Sequence, residues 1–226
     1  MKDLFLSYGI DLSVNQLEKF RLYYDILKEY NEKFNITAIT DKEEVYKKHF
    51  IDSILGGKYI NSGKLIDIGS GGGFPAIPLK IVNENLTVTL VEATGKKCVF
   101  ITNLIKELGL INVTVINDRA EMLIKKDGYR ENFDFCTARA VAKLNTLSEY
   151  CIPFVKKGGY FIAFKGDSEN EIYEAKNAID VLGGRIDKVD NYALDGAKRS
   201  LVVIKKIKHT DKKYPRGNGK ERKDPL

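Results

Sequence analysis

Residues 64–78 read KLIDIGSGGGFPAIP, in which four glycines fall within five positions directly after a short apolar run. Glycine has no Cβ atom, so its backbone turns sharply and lets a ligand approach closely. In an open parallel sheet, ligands bind beyond the carboxyl ends of the strands. A tight turn alone seldom needs four glycines, so the segment predicts a ligand-binding loop at the end of a strand.

The spacing of these glycines distinguishes two classes of ligand. The frame G-x-G-x-G falls on Gly69, Gly71 and Gly73, directly after Asp-Ile, and is typical of methyltransferases that bind S-adenosyl-L-methionine. The dinucleotide frame G-x-G-x-x-G/A fits only weakly, on Gly71, Gly73 and Ala76. The loop therefore favours a nucleoside that carries an amino acid over one that carries a pyrophosphate.

Two later positions fit a nucleoside ligand. Glu92 ends the apolar run TLVE, 23 residues after Gly69, and a carboxylate there can accept hydrogen bonds from both ribose hydroxyls. Both cofactor classes use such a carboxylate, so Glu92 does not choose between them. Ala120 and Glu121 follow the next apolar run, where backbone and carboxylate groups are suited to the adenine edge.

The elements that position these residues begin with helices. Ser13 is predicted to cap a helix over residues 14–34, and Asp41 a second helix that runs to Ile54 and stops at the two glycines that follow it. From residue 64 the pattern alternates between strands and helices, which predicts parallel strands with right-handed crossovers. Seven strands are expected, the last of them antiparallel, over residues 64–69, 86–92, 112–118, 133–138, 158–166, 185–194 and 199–207.

Composition excludes several classes of protein. The 226 residues are 43% hydrophobic, which suits one globular domain, and no apolar run approaches the roughly 18 residues needed to cross a membrane. Cys98, Cys136 and Cys151 are widely spaced and form no metal-binding pair. Reduced, buried thiols, no metal site, no membrane partner and a cytoplasmic location are expected.

Positive charge is concentrated at the end of the chain. Residues 205–226 hold nine Lys or Arg and three Asp or Glu, whereas the preceding residues hold 28 of each. A basic tail on a neutral body indicates a polyanionic partner such as nucleic acid. A solvated, disordered end is the alternative, and the two are compatible.

Several joined motifs resemble one family. LIDIGSGGGFPAIPLKI, TLVEATGKKCVFI, NDRAE, FDFCTARAVAKL and the ending YPRGNGKERKDPL together resemble the RsmG (GidB) family of bacterial 16S rRNA guanine-N7 methyltransferases. The resemblance extends over nearly the whole chain, although the ending is a variant of the family pattern. It implies an α/β, Rossmann-like, seven-stranded class I fold that binds S-adenosyl-L-methionine, with an N-terminal helical extension.

The resemblance also implies boundaries and residue roles. Residues 1–60 would form the helical cap, 61–207 the methyltransferase domain and 208–226 the basic tail. The implied cofactor contacts are Gly69 and Phe74 in the glycine loop and Glu92, Ala93 and Thr94 on the ribose side. On the adenine side they are Ala120 and Glu121, and at the end of the fourth strand Arg139.

The chemistry agrees with this resemblance. Guanine N7 has a lone pair and no proton, so its methylation needs positioning and electrostatics and no general base. Histidines are scarce, and TARAV stands where enzymes that methylate exocyclic amines carry Asn/Asp-Pro-Pro-Tyr/Phe. Arg139 is the candidate catalytic residue, pairing with the cofactor carboxylate, an RNA phosphate or guanine O6. His49 has either a polar contact near the loop or a helix-packing role.

Two rival functions stay open at this point: an NAD-dependent oxidoreductase of similar topology, and an RNA-binding module without activity. The expected partner is 16S rRNA or a 30S-related ribonucleoprotein, and a monomer is expected. Removal of residues 209–226 is expected to weaken RNA binding while leaving cofactor affinity nearly unchanged.

Overall fold

The N-terminal part is helical, in a computed structural model that describes all 226 residues. Ser13 and Gln16 form a reciprocal capping box at the start of the long second helix, and the Asp41 side chain accepts a hydrogen bond from the Glu44 amide. Both predicted caps are confirmed. The elements are α1 (Lys2–Ser7), α2 (Val14–Phe34), α3 (Lys42–Val45), a π-helical turn (Tyr46–Ile51) and α4 (Asp52–Gly56).

A seven-stranded sheet forms the centre of the molecule. Its strands are β1 (Gly63–Ile68), β2 (Leu86–Glu92), β3 (Val113–Asn117), β4 (Phe133–Arg139), β5 (Val155–Lys165), β6 (Gly184–Leu194) and β7 (Ala197–Lys206). The remaining helices are α5 (Ala76–Val82), α6 (Gly95–Glu107), α7 (Ala120–Leu123), α8 (Leu144–Cys151), α9 (Glu169–Val181) and α10 (Lys220–Lys223).

The strand order is β3-β2-β1-β4-β5-β7-β6, with β7 antiparallel to both of its neighbours. The predicted α/β class, the number of strands and the antiparallel last strand are confirmed. Because β1, β2, β3 and β4 pair in parallel, their carboxyl ends lie at one edge. That edge brings together the glycine loop, Glu92, the start of α7 and Arg139.

Two hydrophobic cores cover the two faces of the sheet. On one face, the N-terminal helices pack with α5 and α6, and the Phe50 ring contacts those of Phe20 and Tyr23 in a core that continues to Phe74. On the other face, α8 and α9 pack against the strands. The N-terminal helices therefore share a core with the sheet and build one wall beside its carboxyl edge.

The C-terminal segment is folded against the body of the protein. Tyr214 and Glu221 are buried, and the Arg216 guanidinium pairs with the buried carboxylate of Glu149. The alternative of a solvated, disordered end is therefore wrong, because Tyr214 and Glu221 are buried and Arg216 is paired with Glu149 of α8.

Two further features of the structure concern the cysteines and the helices. All three cysteines are buried and free, as predicted. None of the helices combines the length and apolarity that crossing a bilayer requires.

Candidate active site

The glycine loop adopts backbone conformations that favour glycine. Gly69 and Gly71 have φ values of +73° and +56°, in the left-handed region. A Cβ atom on Gly69 would lie 2.6 Å from Val141 Cγ2, whereas a Cβ on Gly71 would meet only the Gly69 carbonyl oxygen, at 3.9 Å. The Gly72 amide donates to no protein acceptor, unlike its neighbours in the loop. The loop thus offers a ligand close approach and one free donor.

Glu92 fixes the loop from the adjacent strand. Its Oε2 accepts a hydrogen bond from the Gly71 amide at 2.9 Å, and its Oε1 accepts one from the Thr94 amide at 2.8 Å. The residue is only 7% exposed. Each carboxylate oxygen has a further lone pair, so Glu92 can hold the loops and still accept hydrogen bonds from ligand hydroxyls.

One cavity, the acidic cavity, lies beside Glu92 and has a volume of about 440 Å³. Three acidic side chains line it, against two basic ones: Glu92, Asp118 and Glu121, against Arg119 and Arg222. The predicted contacts Ala93 and Ala120 also lie in its wall. Five of the predicted cofactor residues therefore meet here, counting Gly69, Glu92, Ala93, Ala120 and Glu121.

A second cavity, the basic cavity, adjoins the first and has a volume of about 410 Å³. Gly69 and Ala140 line both, so the glycine loop and the end of β4 separate them. Four basic side chains line the basic cavity, against two acidic ones: Lys48, Arg139, Lys165 and Arg199, against Asp52 and Glu171. Gly71 and Phe74 also belong to its wall.

Arg139 is held in the basic cavity by several partners. Its Nη1 donates to Asp52 Oδ2 at 3.0 Å and to the Lys48 carbonyl at 3.1 Å. The guanidinium lies 5.0 Å from the centre of the Phe74 ring, a cation–π arrangement. The Lys48 carbonyl lies in the π-helical turn, a type of irregularity frequent at functional sites. This network fixes the orientation of the guanidinium in the cavity wall.

His49 is a neutral member of the same wall. Burial, together with the Arg139 charge, lowers the pKa of His49 to about 3. His49 Nδ1 lies 3.2 Å from both Arg139 Nη2 and the Lys48 carbonyl oxygen, and Nε2 lies 2.9 Å from Thr37 Oγ1. The ring stacks on Phe74. The sequence left this role open, because its partner Arg139 is 90 residues away.

Two predicted residues lie outside both cavities. A Cβ atom on Gly73 would lie 2.8 Å from Tyr23 Oη and 2.9 Å from Ile77 Cγ1. Gly73 therefore permits close packing of the loop on α2 and α5. Thr94 contributes its backbone amide to Glu92 and lines neither cavity.

Sequence reasoning missed Asp67, which lies behind the loop. The residue is fully buried at the end of β1; its Oδ1 accepts a hydrogen bond from Thr137 Oγ1 at 2.7 Å, and its Oδ2 has no partner. Burial raises the pKa of Asp67 to about 7. Its position directly before the glycine frame was the available signal.

Asp52 was also missed, because it lies in the helical segment far from β4 in sequence. Its Oδ1 accepts a hydrogen bond from Tyr192 Oη at 2.8 Å, and its Oδ2 pairs with Arg139. Asp52 thereby joins the N-terminal helices to β4 and β6 across the basic cavity.

Comparison with other proteins agrees with this geometry. A model of the family described as rRNA small subunit methyltransferase G matches residues 16–202. The ribosomal RNA small subunit methyltransferase G of Lactobacillus acidophilus is 46% identical over 228 residues, covering 97% of this chain and 95% of that protein. The corresponding Bacillus subtilis protein is 46% identical over 224 residues, covering 96% and 94%.

Solved structures share the fold at low sequence identity. A SAM dependent methyltransferase from Aquifex aeolicus has a TM-score of 0.57 and 17% identity, covering 75% of this chain and 96% of that chain. TYW2 of M. jannaschii, solved in complex with AdoMet, has a TM-score of 0.58 and 15% identity, covering 75% and 80%. Both confirm the Rossmann-like methyltransferase fold.

The residues present fit S-adenosyl-L-methionine. The acidic cavity suits a nucleoside whose sulfonium group carries a positive charge, and Glu92 has lone pairs for ribose hydroxyls. The absence of close contacts at Gly71 leaves room beside the loop, and the Gly72 amide, which has no protein acceptor, leaves a donor there. Because Gly69 and Ala140 line both cavities, a cofactor in the acidic cavity would lie next to the basic cavity.

Glu92→Gln should weaken cofactor binding. An amide has one acceptor oxygen, so the variant loses one of the two loop anchors and one of the three negative charges that line the cavity. We expect the Kd for S-adenosyl-L-methionine to rise about tenfold to a hundredfold in calorimetry. Glu107→Gln, an exposed change on α6, is the matched control and should bind like the wild type. An unchanged Kd for Glu92→Gln would contradict this role.

Asp67→Asn should change how stability depends on pH. The pKa of Asp67 is about 7 in the folded protein, above its ordinary value of 3.8, so the native state holds this proton more tightly. The wild type therefore loses free energy of unfolding as pH rises through 7. Between about pH 5 and pH 8, urea titrations should show a smaller loss for Asp67→Asn. The exposed change Asp187→Asn should follow the wild type, and parallel curves for all three would refute the shifted pKa.

Proposed function

Because the chain belongs to the rRNA small subunit methyltransferase G family, we propose that it methylates N7 of a guanine in 16S ribosomal RNA. It is an enzyme that depends on S-adenosyl-L-methionine. The observation that carries the proposal is the meeting of an acidic cavity, suited to the cationic cofactor, with a basic cavity, suited to RNA, at Gly69 and Ala140.

The reaction is a single displacement at the methyl carbon. The N7 lone pair forms the new N–C bond, the S–C bond breaks, and its electron pair stays on sulfur. The bound cofactor supplies an already activated leaving group. The protein therefore has to bring N7 into line with the methyl group and to exclude water.

The basic cavity is suited to a reaction that needs positioning of the base and no general base. Burial and the Arg139 charge lower the pKa of its single histidine, His49, to about 3, so it is unsuited to act as a general base near neutral pH. A reaction at N7 needs none, because this nitrogen carries no proton. Nonpolar side chains of the wall, Ile36 and Ile39 among them, offer an apolar contact for a base, while Arg139 offers donors for guanine O6 or a phosphate.

The remaining parts are assigned to the RNA substrate. Residues 1–60 act as a cap that supplies Lys48, His49 and Asp52 to the basic cavity. Exposed lysines would hold the RNA backbone, so binding should weaken with salt. The enzyme is proposed to work as a monomer in the cytoplasm, on 16S rRNA or a 30S-related ribonucleoprotein.

Transfer of labelled methyl groups tests the proposal. Wild-type protein should label 16S rRNA from S-adenosyl-L-methionine and should not label the same transcript made with 7-deazaguanosine, which keeps the pairing edge and lacks the N7 lone pair. Labelling that persists in the 7-deaza transcript would refute attack by N7. Binding of cofactor and RNA without any transfer would instead favour a non-enzymatic RNA-binding module.

Arg139→Ala should lower kcat/KM by about a hundredfold, the usual cost of losing a donor aimed at a reacting group. Arg185→Ala, an exposed change that removes the same charge, is the control for folding and net charge. Calorimetry with S-adenosyl-L-methionine and steady-state kinetics with RNA separate the two possible contacts. A raised Kd for S-adenosyl-L-methionine assigns Arg139 to the cofactor, whereas a raised KM for RNA alone assigns it to the substrate. Near-normal turnover with the Arg139→Ala protein would remove it from the active site.

A further inference from the structure

Residues 216–224, here called the C-terminal strap, return to the carboxyl edge of the sheet. Gly219 and Arg222 line the acidic cavity together with Glu92 and Glu121. The strap is thus the one part of the basic tail that reaches the predicted nucleoside contacts.

A buried ion pair anchors the beginning of the strap. The Arg216 amide and Nε donate to Glu149 Oε1 at 2.8 and 3.0 Å, and Nη2 donates to Oε2 at 2.9 Å. Glu149 is 1% exposed. A forked guanidinium–carboxylate pair fixes direction as well as distance, so residue 216 cannot turn away from α8 without leaving a buried carboxylate unpaired.

A second anchor holds the middle of the strap. Glu221 is fully buried and its Oε1 accepts a hydrogen bond from the Gly217 amide. Thr146 Oγ1 donates to the Glu221 carbonyl at 2.8 Å. Arg222 follows directly after this anchored residue, which sets the place of its backbone at the cavity.

The surroundings of Tyr150 show the strap and α7 meeting around one side chain. Tyr150 lines the same cavity. Burial, and then the Glu221 and Glu121 carboxylates, raise the pKa of its hydroxyl, while Arg222 opposes the change. Groups from the strap and from the predicted adenine side therefore act on the same hydroxyl.

We propose that the C-terminal strap is the outer wall of the cofactor site and that Arg222 contacts the adenosine part of the cofactor. The proposal rests on the proposed function for the identity of the ligand. A planar guanidinium stacks on aromatic faces, and adenine offers such a face. The basic tail then contacts the cofactor as well as RNA. On this proposal, removal of the tail weakens cofactor binding, in contrast to the expectation from the sequence that cofactor affinity stays nearly unchanged.

Calorimetry on two full-length variants tests the contact. Arg222→Ala should raise the Kd for S-adenosyl-L-methionine about threefold to thirtyfold, the range from an exposed to a desolvated cation–π contact. The neighbouring exposed change Lys223→Ala removes the same charge outside the cavity wall and should stay within about twofold. 5′-Methylthioadenosine, which lacks the amino acid, should show the same loss with Arg222→Ala, because the contact belongs to the nucleoside. Equal Kd values for Arg222→Ala and the wild type would overturn the proposal.

Proteolysis of the unaltered protein gives an independent readout. Saturating S-adenosyl-L-methionine should slow tryptic cleavage after Lys220 and Arg222, while cleavage after Lys213, which precedes the strap, should keep its rate. Unchanged cleavage within the strap would also overturn the proposal. A wild-type protein that does not bind S-adenosyl-L-methionine would instead overturn the proposed function, so the two failures are distinguishable.

Discussion

The carboxylate of Glu92 is the interaction on which the site depends most. It accepts one hydrogen bond from an amide of the glycine loop after β1 and one from an amide of the turn after β2, so a single side chain sets the distance between two loops. Because β1 and β2 pair in parallel, the end of β2 that carries Glu92 lies beside the end of β1 from which the glycine loop starts. Both oxygens are directed by the protein before any ligand arrives, which reduces the ordering that binding requires.

The second cavity depends on a different connection, the contact between the N-terminal helices and β4. Asp52 is buried and pairs with Arg139, and a buried ion pair is weak evidence for stability because both charges lose their hydration. Its value here lies in orientation. The pair, the Lys48 carbonyl and His49 hold the guanidinium at one place, so the N-terminal helices form part of the candidate active site.

Local patterns in the sequence predicted the parts of this structure that local forces determine. The caps at Ser13 and Asp41, the alternation of strands and helices, and the place of Glu92 all follow from short segments. The close packing at Gly73 could not be predicted from the loop, because Tyr23, which it contacts, lies 50 residues earlier. Asp52, His49 and the strap were missed or left open for the same reason, since their roles exist only through contacts between distant segments.

The opposite charges of the two cavities bear on how the products leave. In the proposed reaction, methylation at a ring nitrogen would move one positive charge from a sulfonium beside the acidic cavity to a base in the basic cavity. The thioether left behind would have lost the charge that Glu92, Asp118 and Glu121 attract, and the modified base would have gained one that Arg139 and its basic neighbours repel. The same charges that would bring the two substrates together would therefore favour the separation of the products.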